Sequence, residues 1–192
     1  MTTTTPSYRV GDPTGDCRYP VYVIDPRTGT EALAGIAQRW GRDWLTTTSN
    51  GVKNHGRPDE GVPGIQVPAQ YIATEYAAGN TTPLHSAQLA EEDLTQPQGD
   101  VPLLHPRVPQ TPRNAKAAQD ADTTMARYYW LRIGGFPGSD NPQATKCLLC
   151  GWTGWRYYSH LRGRNGNPPS ANRHPGTCID KARIRQLIPG TK

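Results

Sequence analysis

Residues 146–178 read KCLLCGWTGWRYYSHLRGRNGNPPSANRHPGTC, and this stretch decides how the C-terminal part of the chain folds. It holds three of the four cysteines and two of the five histidines of the protein, but few aliphatic side chains. A module of this size cannot build a sufficient hydrophobic core from such a composition, and small natural modules often use a metal ion instead. We therefore predict a C-terminal module that folds around a metal.

The spacing of the cysteines and histidines indicates zinc. Two residues separate Cys147 from Cys150, so one tight turn directs both sulfurs to the same ion, and Gly151 supplies permissive backbone just after them. His174 and Cys178, separated by three residues, form a second ligand pair. A thioredoxin-like redox motif is the other interpretation of the first pair, but it usually follows a strand in an α/β pattern that this sequence lacks. The predicted site is a C2HC-type zinc finger with these four residues as ligands.

Two folds would complete such a site, and they differ in the histidine that they use. In a treble-clef-like fold, a β-hairpin over 152–166 follows the cysteine pair, and the second ligand pair lies at the start of a helix over 179–188. In the other fold, a short helix over 157–162 presents His160 as the third ligand. We favour the second pair and keep His160 as the alternate ligand.

The segment CLLCGWTGWRYYSHLRG resembles the first half of the finger in the Ros/MucR family of bacterial zinc-finger regulators. That family has two cysteines in the same spacing, a glycine, and a histidine nine residues further on, followed by leucine and a basic residue. The matching residues are Cys147, Cys150, Gly151, His160, Leu161 and Arg162. The family places its last histidine three to five residues after the first, where this chain has Arg164 and Asn165. The resemblance covers less than a tenth of the chain and implies nucleic-acid binding.

Positive charge is concentrated at the C-terminus. Residues 147–192 contain eight lysines and arginines against one acidic residue, a net charge of +7, whereas residues 1–146 carry a net charge of −2. Such segregation favours a polyanionic partner, nucleic acid above all. The residues predicted to contact it are Arg156, Arg162, Arg164, Arg173, Lys181, Arg183 and Arg185.

The remainder of the chain has a composition that is poor in core-forming residues. Leu, Ile, Val and Phe make up about 15% of the residues, and Gly and Pro about a fifth. We therefore expect an α+β protein with little regular secondary structure: an extended Pro/Gly-rich arm, one long helix and the small zinc-stapled module. The predicted segments are 1–50 as an N-terminal arm with a short strand and a helix, 51–110 as an extended Pro/Gly-rich segment, 111–135 as a helix, and 146–192 as the basic zinc-binding module.

Three elements in these segments have clear local signals. Val21–Ile24 is β-branched and aromatic and lies between prolines, which predicts a strand. Apolar residues at helical spacing over 30–40 predict an amphipathic helix that ends at Gly41. Thr111 and Pro112 open the strongest helical pattern, which continues to two glycines at 134–135.

The other cysteine and histidines have no partners at ligand spacing. Cys17, His55, His85 and His105 are therefore assigned no role. The N-terminus lacks the apolar run of a signal peptide, and no window approaches the ~20 apolar residues of a membrane span. We expect a soluble protein in a reducing compartment such as the cytoplasm, or assembled in a virion, with no membrane partner and no structural disulfides.

Three functions are weighed for this chain, two of them non-catalytic. The first is a zinc-stabilised binding protein whose basic module contacts DNA or RNA. The alternative is a minor capsid, cement or tail-associated protein of a virus or bacteriophage, whose arm wraps neighbouring protein subunits. The third is a ββα-metal nuclease, which is disfavoured because the histidines are needed for the zinc and Asp180 is the only acidic residue in the module. We expect no enzymatic activity.

Overall fold

The computed structural model describes residues 6–25, 27–90, 100–164, 166–176 and 178–192. The chain divides into two compact units, Met1–Glu92 and Asp93–Lys192. Each unit contains one antiparallel sheet and its own hydrophobic clusters. The predicted α+β class is confirmed.

The first unit is a five-stranded antiparallel meander with one helix. The strands follow each other in chain order as neighbours: β1 (Tyr8–Val10), β2 (Arg18–Ile24), β3 (Glu31–Trp40), β4 (Asp43–Thr48) and β5 (Gly51–Asn54). Helix α1 (Gln66–Ala77) follows, and a single 3₁₀ turn covers Ser86–Leu89. The predicted strand at Val21–Ile24 is therefore present as the second half of β2.

The core of the first unit lies between α1 and the centre of the sheet. Ile72 of α1 is fully buried with Val21 of β2 and Ala34 of β3. Gly35 allows this close approach, because a Cβ there would lie 2.8 Å from Cγ2 of Ile72 and 2.9 Å from the backbone oxygen of Thr47. The position thus needs a residue without a side chain.

Strand β3 corrects the helix predicted over 30–40. This strand pairs with β2 on one side and β4 on the other, and Ala34–Gln38 is buried throughout. A strand that is buried on both faces loses the alternation of apolar and polar residues, so its periodicity does not distinguish it from a buried helix. Gly41, predicted as the end of the helix, has a φ of 62° and lies in the β3–β4 turn.

The extended arm and the single long helix are also corrected. Residues 18–54 lie mostly in strands, and Gln66–Ala77 is helical within the segment predicted to be extended. This segment folds because Ala69, Ile72 and Tyr76 are buried on the sheet, although Pro68 and the surrounding glycines gave the sequence a loop-like composition. The described residues therefore contain two helices of several turns, α1 with 12 residues and α2 with 16.

The second unit combines three helices with a three-stranded antiparallel sheet. Its elements are α2 (Pro112–Arg127), β6 (Trp130–Arg132), β7 (Pro142–Cys147), β8 (Thr153–Tyr157), the one-turn α3 (Tyr158–Leu161) and α4 (Lys181–Leu187). Strand β7 lies between β6 and β8. Leu104, Ala118, Ala121 and Phe136 form one cluster beside α2, and Met125, Trp130, Cys147 and Leu161 form another.

Helix α2 begins where the sequence predicted and ends earlier. The Thr111 hydroxyl accepts a hydrogen bond from the backbone N–H of Asn114 at 3.2 Å, which caps the helix. The helix ends at Arg127, because Tyr129 has a φ of 56° and turns the chain into β6. The aromatic residues after 127 therefore belong to a turn and a strand.

The C-terminal helix α4 is shorter than the predicted helix over 179–188. Asp180 caps it, with one carboxylate oxygen accepting from the backbone N–H groups of Ala182 and Arg183 at 2.8 and 3.2 Å. Ile184 and Ile188 are buried with Ala171 in a small cluster. Within the described residues, none of the helices combines the length and the apolar character that crossing a bilayer requires.

Candidate metal centre

Four side chains from two distant parts of the second unit converge at one point. The donor atoms of Cys147, Cys150, His174 and Cys178 all lie within 4.8 Å of one another. The Sγ atoms of Cys147 and Cys178 are 3.9 Å apart, and Sγ of Cys150 lies 3.1 Å from Nε2 of His174. A tetrahedral ion with Zn–S bonds of about 2.3 Å places two sulfurs about 3.8 Å apart. The four residues therefore form a set that could hold a metal, most readily zinc.

The first ligand pair lies at the tip of the β7–β8 hairpin. Cys147 is the last residue of β7, and its backbone N–H donates to Trp152 O at 2.7 Å while its oxygen accepts from Gly151 N at 2.8 Å. Gly151 has a φ of 81°, a left-handed conformation that glycine adopts without strain. This turn corrects the hairpin predicted over 152–166, because β8 pairs back with β7 and the one-turn helix α3 follows it.

His174 is held in one orientation by aromatic rings. Its ring is stacked on Trp152 with centroids 4.6 Å apart and an interplanar angle of 1°, and the edge of Trp130 completes the contact. Nδ1 lies 2.9 Å from the oxygen of Pro175. If Nδ1 donates to that carbonyl, Nε2 carries the lone pair and faces the cysteines, which is the arrangement of a metal-binding imidazole.

Arg173 lies directly behind the cluster. Only 5% of this residue is exposed, and its Nε donates to Sγ of Cys147 at 3.4 Å. Its Nη2 donates to the carbonyls of Tyr128 and Tyr129 at 2.8 and 2.9 Å, and the guanidinium lies 4.4 Å from the ring centroid of Trp130. Arg173 was predicted to contact nucleic acid, and this is corrected, because its donors are buried and directed into the module.

The surroundings of Cys147 and Cys178 shift the pKa values of their thiols in opposite directions. Burial raises the pKa of Cys147, but hydrogen bonds from Arg173 and from the backbone of Leu149 outweigh it and hold the pKa below its usual value. Burial, with the neighbouring Cys150 and Cys147, raises the pKa of Cys178 to about 11. Several sulfurs this close cannot all ionise beside each other without a cation to compensate them. A divalent ion that accepts three thiolates and an imidazole fits this donor set.

The alternate ligand His160 is not part of the cluster. It is exposed at the end of α3, and its ring is tilted against Tyr157 with centroids 5.3 Å apart. Burial, and the charges of Arg156 and Arg164, lower its pKa. The structure therefore brings together the ligand set that the sequence favoured, within a hairpin and short helix that combine features of both predicted folds.

Five of the seven residues predicted to contact nucleic acid are exposed. They are Arg162, Arg164, Lys181, Arg183 and Arg185. Arg156 is half-buried on β8, and burial lowers its pKa. These exposed residues, hereafter the basic surface, lie just after α3 and along α4. That any of them binds nucleic acid stays a prediction.

Comparison with known proteins identifies no relative of this chain. No protein-family model matches the sequence, and neither a curated protein nor a solved structure is significantly similar to it. The resemblance to the Ros/MucR finger is therefore not supported by a family match. The assignment of the metal centre depends on its geometry.

One supporting residue was missed by the sequence reasoning. Arg173 was grouped with the cations that were predicted to contact nucleic acid. The adjacency of Arg173 to the ligand His174 was the available signal, since residues beside a ligand commonly orient it or its neighbours.

Proposed function

We propose that this protein is a non-catalytic binding protein whose second unit is stabilised by one zinc ion. The observation that carries the proposal is the convergence of three cysteines and one histidine within 4.8 Å. The apolar clusters of this unit are small, so ligation supplies folding free energy that the clusters do not. Loss of the ion is then expected to unfold the unit.

The composition of the donor set favours a structural ion over a catalytic one. Catalytic zinc sites keep one coordination position for water or substrate, and structural sites use four protein ligands with a high share of cysteine. Cys147, Cys150, His174 and Cys178 supply four donors, three of them sulfur. Hydrolysis also needs a general base, and among the described residues of the module Asp180 is the only carboxylate, which caps α4. No carboxylate of the described part of the module is therefore placed to act as that base, which disfavours a nuclease.

Nucleic acid is the partner that we propose for the basic surface. Its five cations have no ion pair among the described residues, so they remain available to phosphates. Lys181 and Arg185 are one helical turn apart on α4 and lie on the same side of the helix. Each phosphate contact releases counterions and makes the affinity depend steeply on salt.

A virion component was the alternative function, and it depended on an extended arm. Residues 18–54 lie mostly in strands of the first unit's sheet and Gln66–Ala77 is helical, so the alternative loses its main argument. No other observation favours it.

The test of nucleic-acid binding uses the zinc-loaded full chain and fluorescence anisotropy with labelled single-stranded and duplex DNA and RNA. We expect binding at low salt that weakens steeply with added salt. The double variant Lys181→Gln/Arg185→Gln should reduce the salt slope by about 1–2. The control Arg113→Gln/Lys116→Gln removes two exposed charges from α2 and should leave binding almost unchanged. Absence of binding at low salt, or equal losses in both double variants, would refute the proposal.

A further inference from the structure

A large open cleft lies in the first unit, between the β3–β4 turn and the loop that leads to α1. Its volume is about 910 Å³, which falls in the range of small-molecule sites. The lining residues include three arginines, one tryptophan and two acidic residues: Arg39, Arg42, Arg57, Trp44, Asp59 and Glu60. This combination is unlike that of an apolar groove.

The register of strands β3 and β4 brings Arg39 and Trp44 together at this cleft. Arg39 and Trp44 are directly opposite each other in the β3–β4 ladder, so their side chains lie on the same face of the sheet. Arg42 lies in the turn between these strands, and Arg57 comes from the loop after β5. Three cations from separate positions in the chain are thus directed to one space.

Trp44 is fixed at the inner side of the cleft. A Cβ at Gly64 would lie 2.1 Å from Nε1 of Trp44, so the indole packs directly against the backbone there. Tyr19 supports the indole from a tilted position, with centroids 5.8 Å apart. A half-buried aromatic ring held in this way can support a planar ligand without having to be ordered first.

The arginines of the cleft form no ion pair with a described residue, although Asp59 and Glu60 line the same cleft. Among the described residues, none of the five ion pairs includes Arg39, Arg42 or Arg57. Arg39 donates its Nε to the carbonyl of Gly41 at 3.1 Å, which orients the guanidinium and leaves its terminal donors for another acceptor. Arginines grouped in this way match the oxygens of a phosphate.

We propose that this cleft binds a nucleoside phosphate, either free or as one unit of a nucleic-acid strand. The arginines bind the phosphate, and Trp44 supports the base by stacking. Asp59 and Glu60 accept hydrogen bonds from the sugar hydroxyls or the exocyclic amines of the base, which explains acidic residues beside three arginines. The inference is independent of the zinc centre and the basic surface, because every residue it uses belongs to the first unit.

The test is isothermal titration calorimetry of the full chain at low salt with AMP, adenosine and an octanucleotide. We expect AMP to bind at one site and adenosine to bind at least tenfold more weakly. Arg42→Gln and Arg57→Gln should each weaken AMP binding at least fivefold, whereas Arg113→Gln on α2 should not. If the natural ligand is a nucleic-acid strand, these two variants should also bind the octanucleotide more weakly. If it is a free nucleotide, the variants should weaken only the binding of AMP.

A second readout is the set of indole N–H signals in an NMR spectrum, in which Trp44→Phe identifies the Trp44 signal by its loss. AMP should move that signal in the wild-type protein and not in Arg42→Gln at the same concentration. Three results would overturn the inference. They are the binding of neither AMP nor the octanucleotide, equal affinities for AMP and adenosine, or an affinity for AMP that does not change in Arg42→Gln and Arg57→Gln. Because the basic surface is intact in these variants, failure here is separable from failure of the proposed function.

Discussion

Nε of Arg173 lies 3.4 Å from Sγ of Cys147, while the same guanidinium donates to two consecutive carbonyls, those of Tyr128 and Tyr129. A zinc ion bound here by three thiolates and one imidazole would have a net charge of −1, which the buried guanidinium would compensate. The contact thus joins the end of α2 to the metal centre through one side chain. Residues of this kind tune the affinity of the ligands they contact.

Replacing Arg173 should weaken metal binding without removing a ligand. We expect Arg173→Gln to reduce zinc affinity by about 10- to 100-fold in competition with a chromophoric chelator. Arg173→Lys should lower the zinc affinity by a smaller factor, because a lysine keeps the charge but cannot donate hydrogen bonds to the sulfur and to both carbonyls. Arg162→Gln, which removes an exposed arginine of the same module, is the control. Equal affinities for Arg173→Gln and the wild type would show that the contact does not act on the metal.

Metal content is expected at one zinc per chain, measured by elemental analysis after removal of loosely bound metal. Cobalt in its place should give the charge-transfer bands of thiolate ligands and the visible bands of a tetrahedral ion. Removal of the ion by a chelator should abolish the circular-dichroism ellipticity that the second unit contributes, and addition of zinc should restore it. A chelator-treated protein with an unchanged spectrum would contradict a structural role.

The two histidines of the module should behave differently. His174→Gln is expected to lower zinc affinity strongly, because it removes one of four donors, whereas His160→Gln should leave affinity within about twofold. Both variants carry the same change of side chain, so each is a control for the other. The opposite order of effects would return His160 to the ligand set.

The close approach of α1 to the sheet predicts a specific cost at Gly35. Gly35→Ala places a methyl group against Ile72 and a backbone oxygen, and we expect a loss of about 1–3 kcal/mol in the free energy of unfolding, measured with urea. Gly134→Ala is the matched change at a position where the new Cβ would be 3.5 Å from its neighbour, an ordinary contact. A loss at Gly134 as large as the one at Gly35 would contradict this explanation.

Asp25 should make the stability of the first unit depend on pH. A hydrogen bond from the backbone of Arg27 and another from the Tyr76 hydroxyl lower the pKa of Asp25 despite its burial. Because the pKa of Asp25 is lower in the folded state, its carboxylate stabilises the folded unit fully at any pH above its unfolded-state pKa of about 3.9. The stabilisation is lost as the pH falls through the lower folded-state pKa.

Asp25→Asn tests this dependence in urea unfolding at several pH values. The variant should be less stable than the wild type at pH 7, and the difference should shrink below about pH 4. A difference that stays constant down to the folded pKa would mean that another group is responsible. Arg9→Gln, at an exposed ion pair with Glu31, is expected to change stability little.

Local signals were sufficient for the metal ligands and for the start of α2. The cysteine spacing predicts a tight turn, and Thr111 with Pro112 predicts a helix start, so both follow from a few adjacent residues. The pair His174 and Cys178 also has its own local spacing. That these two pairs meet was inferred from the need for four ligands.

Long-range pairing could not be predicted in the same way. Residues 30–40 are a strand because β2 and β4 cover both sides of them, and nothing within the segment encodes that environment. Helix α1 was missed because its apolar residues, such as Ala69 and Ala73, are small and lie near prolines and glycines. Arg173 was misplaced because charge alone does not tell whether a cation is exposed or folded inward.

The two halves of the metal centre are far apart in the chain, since Cys150 and His174 are 24 positions apart. Closing a flexible segment of this length costs on the order of 3 kcal/mol of chain entropy, a cost that a bound zinc ion would offset. Newly made chains should therefore hold an open site with three free thiols until metal binds. Before metal binds, the stretch between the two ligand pairs is therefore expected to be open to proteases, and ligation should protect it.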